Sequence, residues 1–301
     1  MRPLSLAALF LAGLVGCGGG NDSGGVSLQQ QYQQALKTTD ARSRAIRLIQ
    51  IAYKQQNAGD LQGAQTSVGA AANAAREIAN ANEKAETLAS VAYAAGAVGW
   101  ITEASSLAKE TRGAIEKADD PTIAASATAK MAVVYGKFLD NATAAETYLK
   151  QAEEAAGKIE TPDQRATALL AVAGRRHEVA HTDEAQRVAD AALEAIRTLE
   201  DPRRRADLLG EAAEQYHKIG QTDQAITLLD EAEAAVDAIE KNLVSQSYAL
   251  LNLAERCHAV GQKDRAARTF KKAEDTAYKI AEQGEKDPVL QRLNKQRDKL
   301  L

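Results

Sequence analysis

Residues 201–240 read DPRRRADLLGEAAEQYHKIGQTDQAITLLDEAEAAVDAIE, and this stretch decides the fold. Asp201 is a residue type that caps helix starts, and Pro202 suits the first turn, where its missing N–H would have no partner anyway. Leu208, Leu209, Ala212, Ala213, Tyr216 and Ile219 recur at helical spacing and make one apolar face. Gly220 ends the helix, because glycine enters the left-handed conformation without a Cβ clash. Thr222 and Asp223 open a second helix with an apolar face of Ala225, Leu228, Leu229, Ala232, Val236 and Ile239. The stretch therefore predicts a helical hairpin whose small residues let the two backbones approach closely.

Outward from there the pattern repeats. An anchor position in each first helix holds Ala52, Ala92, Val133, Ala173, Ala213 and Ala254, in steps of 40, 41, 40, 40 and 41. Seven residues after the anchor a turn position holds Gly59, Gly99, Asp140, Ala180, Gly220 and Gly261. Twelve after it comes Ala64, Ala104, Ala145, Ala185, Ala225 and Ala266, and seven further on Ala71, Thr111, Ala152, Ala192, Ala232 and Ala273. Four columns held in register over six units mean a repeat architecture, in which each unit buries its apolar face only against its neighbours. The helix-opening pairs Asp120-Pro121 and Thr161-Pro162 recur, and Asp287-Pro288 closes the array. The fold class predicted is all-α: an alpha-alpha superhelix of about six hairpins with a period of 40–41 residues.

In the fifth unit Leu209, Ala213, Tyr216, Gly220, Ala225, Leu229 and Ala232 stand in the spacing of the tetratricopeptide repeat, and in the first Leu48, Ala52, Gly59, Ala64, Val68 and Ala71 do. The chain resembles that family over residues 40–283. The resemblance implies a solenoid with the first helices lining a concave groove, used to hold a protein or peptide. The unit is longer than the family's usual thirty-four or so residues. The third unit departs, with Ala129, Val133 and Asp140 where Leu, a small residue and Gly are usual. Another alpha-alpha solenoid of the same period is the alternative. Residues 27–39, with Leu28, Tyr32 and Leu36 four apart, are expected to cap one end, and the charged residues 284–301 the other.

Residues 1–16 read as an export signal: a positive charge at Arg2, then an apolar run from Leu4 to Val15. Leu14-Val15-Gly16-Cys17 resembles the bacterial lipobox, which implies cleavage before Cys17 and lipid attachment to it. Several acyl chains anchor stably where one would be marginal. Residues 17–26, rich in glycine, form a flexible tether. Gly18 behind Cys17 resembles an outer-membrane address, on the periplasmic face or the cell surface. With Cys17 lipidated, Cys257 has no disulfide partner and reads as a buried small hydrophobe or a reactive thiol.

Chemistry is sparse. A net charge of −4, with 26% charged residues, gives no nucleic-acid footprint. Aromatics at 4% leave little to line a large apolar pocket. No phosphate loop, metal-spaced Cys pair, nucleophile elbow or metalloprotease helix stands out, so no catalytic residue, cofactor or metal is expected. His177, His217 and His258 each lie four after the anchor. The resemblance places that column, and those one after, five after and three before the anchor, on the groove. The groove residues are then Tyr53, Tyr93, Lys137, Phe138, His177, Glu178, Glu214, His217, Lys218, Glu255 and His258, aromatic toward the N-terminal half and charged toward the C-terminal half. Histidines one repeat apart stand roughly 10 Å or more apart, too far to share one zinc. His177 with His181 could make half a site. The function expected is a membrane-anchored interaction scaffold. A small-molecule or glycan-binding lipoprotein and a helical-repeat enzyme are the alternatives.

Overall fold

The computed structural model describes residues 26–240 and 242–300, so the signal, Cys17 and nearly all of the tether lie outside the described residues. Within them every regular element is helical. A single helix, α1 (Leu28–Leu36), precedes six hairpins. These are α2 (Ala41–Asn57) with α3 (Leu61–Glu77), α4 (Ala81–Ala97) with α5 (Ile101–Ile115), and α6 (Pro121–Val133) with α7 (Ala142–Gly157). Then follow α8 (Pro162–Glu178) with α9 (Thr182–Arg197), α10 (Pro202–Lys218) with α11 (Thr222–Asp237), and α12 (Leu243–Ala259) with α13 (Lys263–Tyr278). A last helix, α14 (Gln283–Leu300), packs on α12 and α13.

Local sequence accounts for the boundaries. The Asp120 and Asp201 carboxylates accept from the backbone N–H of Thr122 and Arg203 at 2.8 and 2.9 Å, with proline in the first turn behind each. Ser27 and Gln30 cap α1 reciprocally, Ser27 N–H donating to Oε1 at 3.0 Å and Gln30 N–H to Oγ at 3.2 Å. All six turn residues have positive φ: 81°, 76°, 49°, 67°, 88° and 81° in chain order. In five of the hairpins a backbone N–H just past the turn donates to a carbonyl five residues back, for example Gln221 to Tyr216 at 2.8 Å.

The third hairpin closes differently. Behind α6 the backbone continues as a π-helical turn over Val134–Phe138, with Leu139 N–H bonded to the Val134 carbonyl and Asn141 N–H to that of Tyr135. The pair Asp287-Pro288 does not open a helix as Asp120-Pro121 does: the last helix begins at Gln283, and Pro288 lies inside it. The carbonyl that Pro288 leaves without a donor belongs to Gly284, near the helix start, where the loss is small.

Every anchor residue is buried, none more than 1% exposed, and so are both later small-residue columns. Ala at these sites brings the two helices of a hairpin together along their length. The apolar interior forms two blocks. One runs from Ala35 to Val134 and the other from Ala125 to Leu300, and both draw on α6. Ala127, Met131 and Val134 belong to the first block, Ala125 and Ala129 to the second.

Candidate partner-binding groove

Consecutive first helices pack directly on one another: α2 on α4, then α6, α8, α10 and α12. The second helices are joined instead by long side chains, as in Arg76–Glu110, Arg197–Glu231 and Arg265–Asp230 at 3.0, 2.8 and 2.6 Å. The array therefore curves with the first helices inside, and their side chains form the concave wall.

At the N-terminal half that wall is not an open trough. The Tyr93 hydroxyl on α4 donates to Glu178 Oε1 on α8 at 2.6 Å, passing over hairpin three. Lys137 Nζ stands 3.3 Å from the same oxygen, and Arg175 Nη1 2.6 Å from the other. The Arg175 guanidinium lies 5.5 Å over the Tyr93 ring. Phe138 meets Tyr93 edge-on, with ring centres 5.4 Å apart. It fills the slot left by Gly96, where any Cβ would collide with the ring. Burial opposes ionisation of Glu178, but the Tyr93 bond and the Arg175 and Lys137 charges outweigh it and hold its pKa below 4.5. Burial pushes Tyr53 on α2 up to about 12, with Arg175 lowering and Glu178 raising it, so charges on α8 reach the first hairpin. Tyr93 is raised further, by burial and by its bond to Glu178. The structure thus brings Tyr93, Lys137, Phe138 and Glu178 into one cluster, with Tyr53 beside it.

Further along, Glu214 bonds Lys218 Nζ at 2.6 Å and also pairs with Arg256 on α12. Its pKa is lowered: burial opposes this, and Lys218 and Arg256 overcome it. Glu255 and His258 have no side-chain hydrogen bond or ion pair among the described residues. Glu255, with Arg204, Asp207, Glu211, Asn252, Arg256 and Arg292, lines a polar cavity of about 250 Å³.

The histidine column does not stand on the open wall. It lies at the seam between successive first helices, where Gln56 in the first unit donates to the Ala97 carbonyl at 2.6 Å. His177, His217 and His258 are half-buried. His177 Nδ1 is buried with no hydrogen-bond partner among the described residues. His217 Nδ1 lies 3.3 Å from Thr222 Oγ1 of its own hairpin. His181 sits 3.4 Å from Glu146, and no group of three His, Cys, Asp or Glu suited to a metal occurs among the described residues. The column three before the anchor, expected in the groove, is instead buried: Ile49, Ala89, Leu170, Gly210 and Leu251 pack in the seams. Lys130 alone is only partly covered, and Nζ donates to Ser90 Oγ at 3.0 Å. Burial, which dominates, lowers its pKa.

Two columns were missed, those two before and two after the anchor. They supply Ser90, Glu211 and Asn252, then Arg175 and Arg256. The first lies three residues before the column one after the anchor and the second three before the column five after it, and that i, i+3 adjacency was the available signal.

With six left-handed turns, six alanine seams and the first helices inside, the fold is that of a tetratricopeptide-like solenoid. No family model and no curated protein matches the chain. Among solved structures it is similar to Ton1535 from Thermococcus onnurineus, at 14% identity over 82% of this chain and 89% of that one, with a TM-score of 0.45. It is also similar to the TPR-like repeats of a putative kinesin light chain from Podospora anserina, at 17% identity over 68% of this chain and all of that one, with a TM-score of 0.41. A third likeness is to a Rap protein in complex with competence and sporulation factor, at 15% identity over 90% and 80%, with a TM-score of 0.41. Scores and identities this low add nothing about function.

Proposed function

We propose that this protein is a membrane-anchored interaction scaffold, holding a protein or peptide segment against the concave wall of its first helices. One observation carries the reading. The first helices pack in one row over six hairpins, and the C-terminal half of their wall presents Glu255, without a side-chain partner among the described residues, in a polar cavity. A solenoid displays such a wall along its whole length, which suits an extended segment or a helix. The anchor is the lipid on Cys17, supported by the lipobox-like Leu14-Val15-Gly16-Cys17. The small-molecule alternative has less behind it: the cavity is smaller and more polar than ligand sites usually are. For the enzyme alternative, His217 pairs with a threonine and not with a carboxylate.

The test is capture from a membrane extract by the wild-type protein and by Glu255→Arg. Glu255 is chosen over Glu214, whose ion pairs hold α10 to α12. Helicity should stay unchanged and at least one captured protein should be lost. Equal capture by both removes the C-terminal groove from the reading. For the anchor, Cys17→Ser should release the protein from membranes and abolish incorporation of a labelled fatty acid. Membrane association and labelling that persist would refute it.

A further inference from the structure

The contact between Tyr93 and Glu178 skips a hairpin. Neighbouring helices pack roughly 8–10 Å apart, so α4 and α8 in a straight row would stand roughly 16–20 Å apart. A Tyr and a Glu side chain leaning toward each other can close that gap over the inward curve of the array, so their 2.6 Å bond ties α4 directly to α8 across the bend at hairpin three.

Three features set hairpin three apart from the others. The π-helical turn Val134–Phe138 interrupts the inner helix and carries Phe138 to the Gly96 slot. Gly136, inside that turn, faces Ala145 and Val179, and a Cβ would come within 3.1 Å of both. On the outer side, no side-chain hydrogen bond or ion pair joins α5 to α7 among the described residues. Ion pairs do join α3 to α5, α7 to α9, α9 to α11 and α11 to α13. The apolar interior divides into its two blocks at the same hairpin. Hairpins one and two on one side, and four to six on the other, are therefore two packed bodies meeting at α6.

We propose that Glu178 is a clasp between these bodies: its bonds to Tyr93 and Lys137 hold the bend closed, and releasing them opens the N-terminal half of the concave wall. Tyr93 and Phe138 are covered by each other and by Arg175 while the clasp is shut, and become available to a bound segment when it opens. Only this last consequence rests on the groove reading. The clasp itself is a property of the free protein and is tested without a partner.

The experiment is a distance measurement between nitroxides at Gln50→Cys and Ala171→Cys, by electron–electron double resonance, in the full chain carrying Cys17→Ser. Both sites are exposed on first helices, on opposite sides of the bend, and Cys257 is buried. Glu178→Gln and Tyr93→Phe should each lengthen or broaden the distance distribution, with helicity unchanged. Glu255→Gln, remote from the clasp, should leave it as in the parent. If Glu178→Gln fails to fold, Tyr93→Phe, which removes one oxygen atom, decides alone. A distribution in Tyr93→Phe that matches the parent overturns the clasp. Opening of the clasp together with unaltered capture by Glu255→Arg would sink the groove reading and leave the clasp standing.

Discussion

Ala180 sits at φ 67° in the turn of the fourth hairpin, where four of the other five units have glycine. For an L-residue the left-handed conformation costs roughly 1–2 kcal/mol. Replacing Ala with Gly removes that strain but loosens the unfolded chain, which offsets about 0.4–1 kcal/mol. Ala180→Gly should therefore stabilise the protein by about 0.5–1 kcal/mol. Packing does not blur the figure. Ala180 is exposed, and a Cβ built at Gly59, Gly99, Gly220 or Gly261 meets nothing within 4 Å. The reverse change, Gly220→Ala, should destabilise by a similar amount for the same reason. Urea unfolding followed by circular dichroism at 222 nm reads both. Repeat arrays can unfold in steps, and the shift should then fall in the step that includes α8 and α9 for Ala180→Gly. An Ala180→Gly protein no more stable than its parent, or a Gly220→Ala protein with no loss, would refute the argument that backbone conformation governs this column.

Other outcomes follow from the charged and buried groups. Glu178 has a lowered folded pKa, so its contribution is complete above about 4.5 and is lost as pH falls through the lowered value. The Gln50–Ala171 distance should accordingly lengthen only in acid, and that acid limb should vanish in Glu178→Gln. Arg176 is fully buried and paired with Glu153 and with Glu146, the latter at 3.1 Å. Removing both carboxylates, Glu146→Ala with Glu153→Ala, should cost about 3 kcal/mol in urea unfolding, while Arg176→Met should cost far less, because the carboxylates it leaves are partly exposed and no buried charge is then stranded. Burial pushes the Cys257 thiol up to about 11, so a thiol reagent at pH 8 should modify it only after unfolding, as peptide mass mapping would show.

The seams and turns were legible because repetition multiplies a weak local signal. Six units in register identified Asp140 and Ala180 as turn residues although neither is glycine, and the structure gives both a positive φ. The bend was not legible. A π turn stands there, and nothing in VYGKF departs from ordinary helical spacing strongly enough to announce one. The Tyr93–Glu178 contact depends on small rotations summed over two units, which a period of forty residues leaves unspecified. The groove columns were misplaced for a related reason. One residue along a helix is a turn of about 100°. A slip of one position therefore moves Leu170 or Gly210 from the wall into a seam, and brings Arg175 and Arg256 out of neglect.

The last helix has a consequence for assembly. Val289, Leu293 and Leu300 of α14 are buried against the sixth hairpin, and α1 covers the other end of the array. Deleting α14 would leave one adhesive end and one sealed end. Such a molecule can pair with itself about a two-fold axis, tail to tail, and then has nothing left to add to. Light scattering on a chain ending at residue 282 should find dimers and no filaments, whereas polymers would require α1 to be lost as well.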